Sequence, residues 1–527
     1  MTAIAGAGRL AAFSLRVDRR RITAWAVASG IVVVVVGIAF NRLYPTSGSR
    51  ESLVALADSP VLRAILGPLL APATTGGLVA WRMGSILTVI LALATTFLVV
   101  ARTRGEEQRG RGALLASLPV GRGSPVVAAL LDAAVLDAAA GLSIVAALLC
   151  LAQSPTDSLA LGLGVGASAW SFGAAAALVA QLTATSRAAN GIAAGIVGAS
   201  FLVRALGELY ASWVTWLSPI GWVGTLRAFA DPRYWLLVVP LGIGAAVGAC
   251  AVCVALGREQ GRGLRAERAA PSTPLSPSAL GLAWRLEHVA IAVTAVAGLA
   301  YAVLAGSIVG LFDRFVKSSP VLERAIVHLG GTHVLKDAFT TTMAIYGGIA
   351  MGAFAVSLVL RLHSEESHGR VTVLCAAGAT RSSVIEGFSA TALCAGVVGT
   401  LAWGLGLGIG RLLVDHSTLG LARGVEAGIV CVPAVVALVA VAVAAVGATR
   451  RAGAIAWGVV VWCAVASVLG PFLGLPSWVS DLSPFTHVAP LPLSGSWWVR
   501  CTVLLGVAAI VGALGRSAYL RRELGGA

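Results

Sequence analysis

Twelve stretches of the chain are apolar for seventeen residues or more, separated by basic or Gly/Pro-containing connections. They run approximately 22–44, 81–101, 126–152, 158–182, 190–210, 234–256, 287–311, 339–361, 384–413, 425–447, 454–474 and 499–515. The hydrocarbon core of a bilayer is about 30 Å thick, so a crossing helix needs roughly 20 apolar residues. The pattern therefore predicts an all-α polytopic membrane protein with about twelve transmembrane helices. Polar, amphipathic pieces at 9–20 and 277–285 precede spans 1 and 7 and are expected to lie in the interface plane, with their arginines reaching toward headgroups. The basic run Arg19-Arg20-Arg21 leads directly into the first apolar stretch, and no small-residue cleavage site follows. This segment reads as a retained first span rather than a removed signal.

The pattern repeats. After span 2 the chain reads Glu106-Glu107-Gln-Arg-Gly110-Arg111, followed by a Leu-rich run and Gly121-Arg122. After span 8 it reads Glu365-Glu366-Ser-His-Gly369-Arg370, followed by Thr380-Arg381, with the Glu pair 259 residues further on. Ser59-Pro60-Val61-Leu62 recurs as Ser319-Pro320-Val321-Leu322, and Leu217-Ser218-Pro219 as Leu482-Ser483-Pro484, at nearly the same offset and in the same order. Such self-similarity marks a duplicated architecture. The expected layout is two tandem six-helix repeats: a first half at 1–257, a polar linker at 258–277 and a second half at 278–527. Six is even, so both halves have the same orientation.

Composition narrows the class further. Of the 527 residues, 58% are hydrophobic and 12% charged, with a mean hydropathy of +0.90. A soluble domain carries about twice that charged share, and a disordered chain is far less apolar. The net charge of +15 would suggest nucleic acid in a soluble protein. Here it follows from arginines that set topology, and nucleic acid is not expected as a partner. With the N-terminus inside, Lys and Arg fall 24 inside against 14 outside. Both termini are then expected in the cytoplasm of a multi-pass cell-membrane protein. The cysteines lie almost entirely in apolar segments, so no structural disulfide is expected. Cys250 and Cys253 read as packing residues.

The connection between spans 2 and 3 has the most distinctive chemistry. Thr103 and Glu106 have the spacing of a capping box, and acidic residues suit a helix start. Ala113, Leu114, Leu115 and Leu118 give one apolar stripe before Pro119. The expected element is a short cytoplasmic helix for docking a soluble partner, and its second copy strengthens that reading over a merely solvated loop. Trp213, Trp216, Trp222, Trp235, Trp478, Trp497 and Trp498, at outer span ends, read as an interfacial belt. Asp132 and Asp137 lie inside span 3, where charge is costly. Five residues place them roughly 140° apart, so they face different neighbours. With Phe201, Tyr346, Phe354 and Trp462 they are candidates for a substrate pathway, core packing being the competing role. No catalytic grouping and no metal site are seen. The phosphate-loop pattern G-x-x-x-x-G-K-S/T is absent.

On the Glu-Glu-x-x-Gly-Arg element, Gly121-Arg122 and the two Leu-Ser-Pro motifs, the chain resembles the permease subunits of ABC exporters. It is most similar to the actinobacterial exporters of polyketide antibiotics, or tetronasin-type drug exporters, over essentially its whole length. The resemblance implies that Glu106, Glu107, Gly110, Arg111 and Arg122, and Glu365, Glu366, Gly369, Arg370 and Arg381, form coupling helices resting on an ATPase. It implies a pathway lined by spans 2, 5, 8 and 11, and two copies of a separate ATPase subunit. ATP and Mg²⁺ would belong to that subunit, with no cofactor in this chain. The transported molecule would be a hydrophobic or amphipathic drug, antibiotic or lipid-like compound. A 12-span secondary transporter of the major facilitator kind is the alternative, and a membrane enzyme or scaffold is weaker still. In the second copy His368 replaces Arg109, and Thr372 and Cys375 interrupt the Leu run.

Overall fold

A computed structural model describes residues 3–46, 66–110, 119–258, 278–309, 332–367, 369–416, 418–468, 476–493 and 495–522, with scattered positions between 50 and 63. The two Ser-Pro-Val-Leu copies, Arg111 and the Leu stripe after it, His368, and the linker residues 259–277 lie outside the described residues.

Twelve long helices follow in order: α1 (Ala7–Leu43), α2 (Thr75–Val100), α3 (Ser124–Cys150), α4 (Pro155–Leu182), α5 (Ser186–Tyr210), α6 (Val238–Gly257), α7 (Ala279–Ser307), α8 (Thr332–Ser367), α9 (Arg381–Asp415), α10 (Thr418–Ala448), α11 (Ala452–Val468) and α12 (Trp497–Arg521). Among the described residues, eleven are long and apolar enough to cross a bilayer, and α11 is the shorter twelfth. The chain is a multi-pass helical membrane protein, as the apolar pattern requires.

The interfacial pieces are corrected. Residues 9–20 continue unbroken into the first span as one 37-residue helix, and α7 begins at Ala279. No proline lies at 9–20, and Pro277 falls before the Ser278 N-cap, so within each helix hydrogen bonding runs straight through the change from polar to apolar.

The chain divides into two compact units, Met1–Pro271 and Ser272–Ala527. In the first, α4 packs on α2, α3 and α6, and α1 lies along α3. In the second, α10 packs on α8, α9 and α12, and α7 lies along α9. Small residues permit the closest crossings. A Cβ added to Gly141 of α3 would stand 2.6 Å from the carbonyl oxygen of Gly162 in α4, and one added to Gly404 of α9 would stand 2.6 Å from Cα of Gly428 in α10. Apolar side chains of α12, including Val503, Ile510 and Leu514, remain exposed outside these contacts. That is the surface expected of helices solvated by lipid tails.

Each unit has a basal end, where its first helix begins, and a distal end opposite. At the distal end the Leu-Ser-Pro motifs do one job twice. Ser218 and Ser483 are N-caps whose hydroxyls accept from the backbone N–H of Gly221 (3.4 Å) and Phe485 (3.3 Å), and the following prolines occupy the first turn of a short helix. Trp222 does not join an interfacial belt. It is buried, and its Nε1 donates to the carbonyl oxygen of Trp216 (2.7 Å). Trp213, Trp235, Trp478 and Trp498 are exposed.

Candidate functional site

The basal end of α2 does not stop at the apolar boundary. A π-helical segment, Ala101–Gly105, carries the helix on to Gln108. Thr103 is therefore interior to a helix and not an N-cap, and its hydroxyl donates back to the Val99 carbonyl oxygen (2.7 Å). The capping-box reading fails because the preceding backbone stays helical, leaving no free N–H groups for Thr103 to cap.

What ends the helix is Gly110. Its φ is +76°, and its N–H donates to the Glu107 carbonyl oxygen (3.0 Å). In the second unit Gly369 has φ +72°, and its N–H donates to the Glu366 carbonyl oxygen (2.9 Å). Both are left-handed turns, which glycine adopts without steric cost. The Glu-Glu-x-x-Gly spacing is thus one terminating turn used in both units. After Gly369 a short helix follows, Arg370–Ala376, with Val373 strongly exposed.

The glutamates are engaged by arginines of their own unit. Glu106 accepts from Arg109 (2.9 Å). Glu107 accepts from Arg104 (2.7 Å) and from Arg258, whose Nη1 lies 3.1 Å away. Arg104 is almost wholly buried, and its Nε donates to the Ala180 carbonyl oxygen (3.1 Å). Arg258 also donates to Gln181 Oε1 (2.9 Å). The node joins the basal ends of α2, α4 and α6. Arg122 lies with Arg102, Glu106 and Arg258 around a small cleft there. In the second unit Glu365 pairs with Arg370 and lies 3.6 Å from Arg361, which itself pairs with Glu287 of α7. The hydrogen bond that Arg370 donates to the Glu365 carboxylate holds the guanidinium above its ordinary pKa. Glu366 pairs with Arg522, just past α12. Arg381 reaches the carbonyl oxygens of Leu520 (3.3 Å) and Arg522 (2.6 Å), and both guanidinium groups lie over the Tyr519 ring, at 5.3 and 5.5 Å.

The intramembrane candidates are scattered. Asp137 accepts from Thr95 of α2 (2.6 Å), whereas Asp132 faces α1. The two carboxylates do point to different neighbours. Asp132 lines a pocket of about 380 Å³ with Leu10, Phe13, Ser14, Val17 and Arg102. Phe201 lies under the Arg204 guanidinium (4.9 Å). Phe354 packs against the core of the second unit, Tyr346 is half-buried, and Trp462 Nε1 is buried without a hydrogen-bond partner. A larger groove, about 720 Å³, lies in the second unit and contains none of these six. Leu438, Val441, Val459, Val503 and Leu504 line it, with Asp481, His487 and Arg500.

Sequence reasoning missed Arg104, Gln181, Arg258 and Arg522. The signal was present: Arg258 and Arg522 are each the last basic residue closing the sixth helix of their unit. It also missed a distal cluster in the second unit. There Lys336 pairs with Asp415 (2.9 Å), Arg411 with Asp337 (2.8 Å), and Arg423 with Glu426 (2.8 Å) and Asp337 (3.6 Å). Arg411 interrupting an apolar run was the available clue.

The fold is that of a polytopic helical membrane protein, with an arginine–glutamate node at the basal end of each unit. Residues 277–520 match the model of the C-terminal domain of the multidrug efflux system permease Rv1217c. The chain is 32% identical over 516 residues to the multidrug efflux system permease protein Rv1217c of Mycobacterium tuberculosis, covering 97% of this chain and 94% of that protein. The chain belongs to this multidrug efflux permease family.

Proposed function

We propose that this chain is the membrane-spanning permease of an ATP-driven exporter, resembling the tetronasin-type ABC exporters. Two copies of a separate ATPase subunit bind ATP and Mg²⁺ and sit one under each half. The basal ends face the cytoplasm, as the arginine bias indicates. The observation that carries the reading is the duplicated terminating turn, Glu107 to Gly110 and Glu366 to Gly369, which halts the second helix of each unit in the same way. In the second unit the turn leads into the short helix Arg370–Ala376, whose exposed Val373 a soluble partner can reach.

The transported molecule is hydrophobic or amphipathic. The apolar groove of about 720 Å³ supports this, since drug-sized ligands occupy sites of roughly 300–1,000 Å³. Asp132, with Phe13 and Val17 beside it, is the candidate contact for a charged headgroup.

The test is co-expression of the chain with the ATPase encoded beside it. The permease alone should hydrolyse no ATP, and the assembled complex should hydrolyse ATP faster when drug is added. Replacing Glu106, Glu107, Glu365 and Glu366 together with Ala should lower stimulated hydrolysis and export about tenfold or more, while the chain still inserts. If the quadruple variant assembles and exports normally, the turns are ordinary connections, and a secondary transporter of the major facilitator kind becomes the better account.

A further inference from the structure

We infer that Arg258 and Arg522 are positioning residues. Each clamps the terminating turn of its own unit to the sixth helix, and Glu107 and Glu366 serve these struts rather than the surface offered to a partner. The functional consequence rests on the docking reading above; the strut itself does not.

The geometry is the same in both units. The second glutamate of each pair meets the arginine that closes the sixth helix: Glu107 meets Arg258, and Glu366 meets Arg522. Both arginines are further braced. Arg258 donates to Gln181 (2.9 Å), and Arg522 donates to the Val446 carbonyl oxygen (3.1 Å). Gln181 is near the end of α4 and Val446 near the end of α10, so the strut in each unit joins its second, fourth and sixth helices. In the first unit the Arg258 side chain is 6% exposed and Glu107 20%; in the second Arg522 is 23% exposed and Glu366 13%. A carboxylate so enclosed has already exchanged water for guanidinium donors. Withdrawing Glu107 to meet a partner would cost the buried Arg258 an ionic partner, and withdrawing Glu366 would cost the half-buried Arg522 one, both unfavourable. A displacement at the turn is therefore carried directly into the sixth helix. In the first unit Arg258 is also the residue from which the chain enters the linker 259–277.

The second unit gives the cleaner test, because Glu107 has Arg104 as a further partner. Spin labels at Val373→Cys and Arg521→Cys, in a full-length chain whose native cysteines are replaced, report the distance from the turn to α12. The wild-type distribution should be narrow. Glu366→Gln or Arg522→Gln should broaden it, and the charge swap Glu366→Arg with Arg522→Glu should narrow it again. In cells carrying the ATPase, each single variant should lower ethidium export about tenfold or more at equal membrane abundance, and the swap should recover most of it. If the single variants leave the distribution narrow, or the swap is no better than the worse single variant, the strut is wrong. If Glu366→Gln weakens ATPase binding without broadening the distribution, Glu366 is a partner contact and the inference falls. If the swap restores the distances but export never depends on an ATPase, the strut stands and the docking reading fails. Should a single variant not accumulate, Arg522→Lys replaces it: it keeps the charge, loses the fork, and should broaden the distribution partially.

Discussion

At the scale of single residues, the Glu-Glu-x-x-Gly element is explained by its backbone as much as by its charges. A Cβ at Gly110 or Gly369 would meet nothing within 4 Å, so space does not select glycine there. The left-handed φ does. Replacement by Ala should cost about 1–2 kcal/mol at each turn, and Asn should cost less because its side chain tolerates that region. The ordering Gly, then Asn, then Ala in retained export, measured at equal membrane abundance, checks this. Equal loss for Asn and Ala would mean that steric crowding absent from this structure decides the site. The motif was legible in the sequence because it occurs twice. The direction of its side chains was not. Glu107 reads as a surface charge until Arg258, 151 positions away, is brought beside it by the return of α6.

At the scale of elements, hydrophobic periodicity placed all twelve helices, because a bilayer leaves an apolar stretch of twenty residues little alternative. It erred at their ends. The polar residues 9–20 and 101–108 belong to helices, since backbone hydrogen bonding continues past the point where side chains become polar. Helix pairing was not legible either, because small residues occur throughout such a chain and only some mark a crossing. Gly141 and Gly404 do. Gly141→Leu should force α3 from α4, and Gly404→Leu should force α9 from α10, costing about 1–3 kcal/mol or more each. A lowered unfolding temperature in detergent would show it. An unchanged temperature would mean that the crossings relax without loss.

At the scale of the whole molecule, the chain forms two compact units, Met1–Pro271 and Ser272–Ala527. The topology proposed from arginine bias is open to direct labelling. Ser49→Cys and Ser318→Cys should react with an impermeant thiol reagent in intact cells, and Ser272→Cys should not; labelling of position 272 would invert the orientation. The halves are not copies in every respect. Their distal ends differ. The first combines neutral ties, Thr75 donating to Asn41 and Gln153 accepting from the Gly76 N–H (2.8 Å), with Arg50 donating to the Tyr44 carbonyl oxygen (3.1 Å) and Arg63 lying 3.9 Å from Glu208. The second carries the six-membered ionic cluster, and Gly77 and Leu78 stand where a shift of 259 residues would place Lys336 and Asp337. A symmetric assembly of identical subunits would hold that cluster twice or not at all. Two halves on one polypeptide are free to differ at equivalent positions. Prising apart the distal helices of the second half must hydrate six mutually paired charges together, whereas in the first Arg63 and Glu208 form a looser ion pair, at 3.9 Å. Carried on one polypeptide, the two halves can thus hold unequal resistance to opening at their distal ends.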